Sequence, residues 1–270
     1  MKILYEDKHL VCVEKPVGVL SQSGAGDSAL PDLVTLLTER EAALGNPEPY
    51  IGVVHRLDAG VGGAMVYAKK PYAAAALSEA IRGRDFTKEY LCVVSGRPME
   101  DAGEYRDLLW KDAKANKVYV VDRTRNGVKE ASLSYRVLQT VERDGEIYSL
   151  LRVTLGTGRS HQIRCQLSHH GTPILCDGKY GGHRPADVSM AGIALWSYHL
   201  AFVHPANMQA NMQANMPKSE SKQEKPLSAR MQKRQAKKPV FENPDVVCLP
   251  EWAEMPWGWF DIISSDVHSQ

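Results

Sequence analysis

The sequence is poor in the features that mark several protein classes. Its five cysteines, Cys12, Cys92, Cys165, Cys176 and Cys248, are odd in number and widely spaced, with no Cys-x-x-Cys pair and no metal-ligand cadence. That pattern speaks against a disulfide framework or a structural metal site and for reduced thiols in the cytoplasm. No apolar run approaches the roughly 20 residues that a membrane helix needs. The start, Met1-Lys2-Ile3-Leu4-Tyr5-Glu6-Asp7, lacks the basic-then-apolar pattern of a secretion signal. Net charge is almost nil: 33 Lys and Arg against 32 Asp and Glu leave +1, whereas nucleic-acid binders often carry a more basic balance. Strand-like and helix-like segments do not alternate in βαβ rhythm, which argues against a doubly wound parallel sheet.

What is present fits a globular protein. Of 270 residues, 43% are hydrophobic and 24% charged, enough for a sizeable core. Residues 3–16 read as a strand, a polar turn and a second strand ended by Pro16, after which Pro16-Val17-Gly18 turns the chain. Helical spacing of Leu33, Leu36 and Leu37 predicts a helix within 28–44, before the Gly45-Asn46-Pro47 break. Strands are expected at 51–54, 64–68, 88–95, 118–121, 131–138 and 148–155, and helices at 71–81 and 162–170, the latter capped by Ser160. The fold class that follows is α+β, with a mixed, mostly antiparallel central sheet and flanking helices.

Composition changes near Asn207. Asn207-Met208-Gln209-Ala210 recurs as Asn211-Met212-Gln213-Ala214, and a Lys, Ser and Gln-rich stretch follows to Lys238. Such low complexity predicts a flexible, basic insertion over 207–238, with eight Lys or Arg against two Glu from Pro217 onward. It is either a phosphate-touching arm or a solvated linker. Residues 239–270 hold six acidic residues and no Lys or Arg, and Trp252, Trp257, Trp259 and Phe260 there predict a tail that packs back on the body.

Two segments carry chemistry. Val54-His55-Arg56-Leu57-Asp58 sets an imidazole, a guanidinium and a carboxylate just before Gly60, Gly62 and Gly63, whose small size admits close approach. Alone, its Arg-x-Asp reads equally as a structural ion pair. Leu155-Gly156-Thr157-Gly158-Arg159-Ser160-His161-Gln162-Ile163-Arg164 joins a glycine turn to a helix start, where two arginines suit a phosphate or a carboxylate.

Together these segments resemble the RluA family of pseudouridine synthases. His55-Arg56-Leu57-Asp58 with Gly63 and Ala68-Lys69 resembles one family motif, and Gly158 to Arg164 another. Lys15-Pro16-Val17-Gly18, Lys88-Glu89-Tyr90, and Gly171-Thr172-Pro173-Ile174 with Asp177 and Tyr180 match others, all in family order within residues 3–204. The resemblance implies a catalytic domain over 1–206, with no separate RNA-binding module ahead of it. It implies catalytic roles for Asp58, for Arg164 paired with it and for Tyr90 beside the target base, while Asp177 and Tyr180 brace the pocket. It further implies substrate contacts from His55, Arg56, Arg159, His161 and Gln162. No metal or cofactor is expected, the partner is ribosomal or transfer RNA, no membrane is involved, and the protein acts as a cytoplasmic monomer. The chain departs from the pattern at Val61-Gly62, where the family has Thr-Ser, at Cys176, usually glycine, and at Gln166, near a usual histidine. Those departures keep open a second reading, an RNA-binding protein of the same fold with little isomerase activity. A hydrolase is less favoured, because no second carboxylate lies in a matching motif.

Overall fold

The computed structural model describes residues 1–24, 30–208, 241–251 and 256–261. Its elements in chain order are β1 (Lys2–Glu6), β2 (Leu10–Lys15), α1 (Leu33–Ala43), β3 (Gly52–Val53), β4 (Gly62–Ala68), α2 (Pro71–Gly83) and β5 (Phe86–Ser95). There follow β6 (Ala102–Asp112), β7 (Lys117–Val121), β8 (Val128–Arg143), β9 (Glu146–Leu155), α3 (Gln162–His169), β10 (Leu195–Phe202) and β11 (Asp245–Val247). The strands make one sheet in the order β1-β2-β4-β10-β5-β9-β8-β6-β7, with β3 beside β4 and β11 beside β10. Among the described residues the parallel contact is β4 with β10, at Gly62–Trp196 and Gly63–Ser197; the other pairings are antiparallel. The α+β expectation therefore holds.

Burial explains why β4 is apolar from end to end. Met65 and Tyr67 face one way, into a core shared with Val11, Val13, Leu33 and Leu37, so α1 covers that face. Ala64, Val66 and Ala68 face the other way, onto Ala73, Leu77 and Ala80 of α2. Small residues on both surfaces let α2 lie close, and Pro71 starts it at a position that needs no amide donor. A strand covered on both faces reads as a continuous hydrophobic run.

Several boundaries differ from expectation. Helix α1 begins at Leu33 because Asp32 caps it, accepting from Thr35 N at 3.1 Å; residues 25–29 lie outside the described set. Helix α3 is not capped by Ser160: His161 occupies that position in the left-handed region, φ 49°. Strands β6 and β10 were not expected, and β8 runs longer than 131–138, with a register shift between Val137 and Gln139. Of the tail aromatics, Trp257, Trp259 and Phe260 are buried in the main core, and the Trp259 ring meets Tyr148 at 4.8 Å. Trp252 and, from residue 209, the expected insertion lie outside the described residues. No helix among the described residues is long and apolar enough to cross a membrane.

Candidate active site

The loop between β3 and β4 is immobilised carbonyl by carbonyl. Leu57 O accepts from Ser21 Oγ at 2.8 Å, and Leu57 N donates back to the same hydroxyl at 3.0 Å. Asp58 O accepts from Val61 N, Ala59 O from Gly18 N, and Gly60 O from Ile193 N. Lys15, wholly buried, sends its ammonium to Pro16 O, Val19 O and Ala59 O at 2.9, 2.7 and 3.3 Å. Burial pulls its pKa down to about 8 against the favourable charge of Asp58. The Lys-Pro-Val-Gly turn thus works as a clasp on the loop and leaves the Asp58 side chain, 35% exposed, facing a cavity of about 910 Å³.

Arg164, on the first turn of α3, reaches that carboxylate across the sheet. Its Nη1 donates to Asp58 Oδ2 at 2.7 Å, while Nε and Nη2 grip Asp177 at 2.6 and 2.8 Å. Asp177 is 1% exposed and Arg164 11%. Burial opposes the cation, but the hydrogen bonds and charge of Asp177, then of Asp58, outweigh it and hold the guanidinium above its usual pKa. Asp177 therefore aims the arginine that aims Asp58. The Tyr180 ring lies under the guanidinium at 5.0 Å, and its hydroxyl contacts Val118 N at 2.8 Å and His161 Nδ1 at 2.9 Å.

Four more of the expected residues meet here. Tyr90, on β5, lines the cavity close enough for Asp58 to act on it; burial first, then that charge, raises its phenol pKa. His161 Nε2 stands 3.8 Å from Asp58 Oδ2, and burial lowers its pKa against the pull of that carboxylate. Arg159 lines the rim and donates through Nε to Glu130 O at 2.9 Å. Arg56 is exposed on the same rim.

Two others, His55 and Gln162, also line the cavity and commit polar atoms to its framework. Gln162 commits its amide to the loop: Oε1 accepts from Thr157 Oγ1 at 2.7 Å and Arg159 N at 3.0 Å, and Nε2 donates to Ser132 O at 2.9 Å. His55 turns Nε2 toward Val66 N at 3.1 Å, and burial, with the charge of Lys88, drives its pKa down to about 3. Its ring is a neutral acceptor in the cavity wall. The sequence assigned no role to Ser21 or Lys88; period-two alternation with Tyr90 is the signal that puts Lys88 on the cavity face of β5.

The departure at Gly62 has a packing cause. A Cβ there would fall 2.2 Å from Trp196 Cζ3, and that indole is pinned by Nε1 donating to Cys248 O at 2.8 Å. The ring takes the space that a serine side chain would need. Val61 is 2% exposed and belongs to the core. Cys176 sits at φ 66°, a backbone region that suits the glycine usual there.

A family model described as RNA pseudouridylate synthase matches residues 9–169. The ribosomal large subunit pseudouridine synthase D of Xanthomonas campestris is 33% identical over 220 residues, covering 77% of this chain and 63% of that protein. Its namesake in Xylella fastidiosa is 36% identical over 188 residues, covering 67% and 52%. The chain thus spans between half and two thirds of the length of these curated relatives. Among solved structures, human RNA pseudouridylate synthase domain containing 4 superposes with a TM-score of 0.61 at 24% identity, over 74% of this chain and 84% of that one.

Proposed function

Because the chain belongs to the RNA pseudouridylate synthase family, we propose that it isomerises uridine in RNA to pseudouridine, with Asp58 as the carboxylate on which the reaction depends. The C1′–N1 bond breaks, the uracil turns, C1′ joins C5, and the C5 proton leaves as N1 gains one. Atoms balance without metal or cofactor. The observation that carries this reading is a carboxylate, the one among the described residues that faces the cavity, fixed by a guanidinium that a second, buried carboxylate holds in place.

Roles follow from position. Asp58 serves as nucleophile or proton acceptor, its carboxylate held in place by the Arg164 guanidinium at 2.7 Å. Arg164 positions it, and Asp177 positions Arg164. Tyr90 offers a ring for the uracil, which must leave its stack at a cost of a few kcal/mol. Arg56 and Arg159 meet the backbone, and His161 borders the ribose. His55 and Gln162 act through the wall and loop they brace. The reading includes action as a monomer in the cytoplasm. The relatives' names make ribosomal RNA the first substrate to examine, with transfer RNA next. Residues 1–206 form the catalytic domain in this reading, and the basic stretch within 207–238 adds RNA affinity. Since Trp196 accounts for Gly62, the altered loop gives little support to a protein that merely binds RNA.

The test is pseudouridine mapping on total RNA from cells carrying the normal protein, the Asp58→Ala variant or a deletion. Loss of the same modified uridine in both altered strains is expected. An unchanged map would move the assignment to an RNA-binding protein of this fold.

A further inference from the structure

Lys88 is the feature of the cavity that the roles above leave unexplained. The residue is 7% exposed, yet among the described residues its ammonium has neither a hydrogen bond nor an ion pair. Its side chain is largely buried but lines the cavity, and burying an ammonium without a counter-ion is costly, a cost that an anion entering the cavity would offset. Its Nζ lies 3.2 Å from the place a Cβ would take on Gly158, so the glycine turn leaves the space above the amine open. Burial lowers its pKa, and no carboxylate opposes that.

The position specifies the anion. Lys88 and Tyr90 share the cavity face of β5, and two residues along a strand are about 7 Å apart. An RNA chain carries one phosphate per nucleotide, so a uridine seated between Tyr90 and Asp58 brings a phosphate within a residue's reach of Lys88. Arg56, Arg82, Arg84 and Arg159 rim the same cavity, a distribution that draws a polyanion inward. We propose that Lys88 is the internal phosphate-binding residue of this cavity, taking a backbone phosphodiester next to the target uridine; the proposal rests on the isomerase reading above.

The phosphate contact has a signature separable from catalysis. In the full chain, Lys88→Met, Lys88→Arg, Asp58→Ala and, as an exposed lysine elsewhere, Lys70→Met are titrated with a short fluorescein-labelled oligouridylate across a range of KCl. Lys88→Met is expected to weaken binding about tenfold at low salt and to reduce the salt slope by about 0.7, the value of one single-strand phosphate. Lys88→Arg and Asp58→Ala keep the slope, and Lys70→Met sets the background. Without RNA, Lys88→Met unfolds at a higher temperature than the normal protein, because a buried unpaired charge has gone. An unchanged slope, or a lower unfolding temperature, would overturn the proposal. If the normal protein forms no pseudouridine in total RNA while the slope loss persists, the isomerase reading fails and the phosphate contact stands.

Discussion

Replacing Asp177 by asparagine tests the chain of ion pairs without touching the cavity surface. Asp177 takes two hydrogen bonds from Arg164 at 2.6 and 2.8 Å and is 1% exposed. Asparagine keeps one carbonyl acceptor but turns an amide donor toward a guanidinium donor, so one bond becomes a repulsion. Breaking a buried pair by removing one partner costs about 3–5 kcal/mol. Asp58 still balances part of the arginine's charge at 2.7 Å, so about 2–4 kcal/mol is expected. For a chain of this size each kcal/mol moves the unfolding midpoint by about 2–4 °C, so thermal unfolding near pH 7 should drop by roughly 5–15 °C. Isomerisation, followed as pseudouridine formed per enzyme at a temperature where the variant is folded, should fall about 100-fold, since Asp58 loses its fixed orientation. The double variant Asp177→Leu with Arg164→Met should regain part of the stability while remaining inactive. Stability within about 0.5 kcal/mol of the normal protein, with full turnover, would refute the reasoning.

Two other outcomes are expected. Gly62→Ser should destabilise by about 1–3 kcal/mol through its clash with Trp196, and adding Trp196→Ala should make the second change cheaper than it is alone; additive losses in urea unfolding would sink that account. Acid unfolding should set in below about pH 6.5. His55 is neutral in the fold with its pKa at about 3, so protons favour the unfolded chain as pH falls from 6.5 toward 3. Glu6, hydrogen-bonded by Arg40, and Glu89, hydrogen-bonded by His199, have pKa values lowered to about 2, so their contributions, full above about 4.5, fade as pH falls to 2. His199 works in the opposite sense: its raised pKa adds stability below 6.5 that disappears as pH climbs through the folded value. A urea midpoint that is flat between pH 7 and 4 would contradict this.

The parts of the fold legible in sequence are those whose chemistry is uniform along the chain. Strand β4 is apolar because it is covered on both faces, and α2 is alanine-rich because it lies close against that strand, so each announces itself. Strand β6, Ala102–Asp112, mixes Glu104, Arg106, Asp107 and Lys111 with apolar residues, and only pairing with β7 and β8 decides its state. In β10, His199 is tolerated inside the sheet because Glu89 and Asp245 receive its two nitrogens at 2.7 and 2.8 Å, partners that no local pattern reveals. At the site, it was the motif resemblance that singled out Asp58, Tyr90, His161 and Arg164, and the fold sets all four around one cavity. Direction was not foretold. Whether Gln162 faces a ligand or its own loop depends on where Ser132 comes to lie, and that is a property of the folded chain.

Strand β10 also sets a sequence of events in time. It is the strand that joins the β1-β2-β4 half of the sheet to the half that starts at β5. Asp58 belongs to the first half and Arg164 follows the second, 106 residues later. As the chain leaves the ribosome, both halves can pair locally, but the surfaces that carry the two charges have no shared sheet until residues 195–202 arrive. Such late, long-range closure is the slow kind of folding step. On this topology the Asp58–Arg164 pair is expected to form only after β10 has joined the two halves, which amide-exchange protection of the two halves during refolding would check.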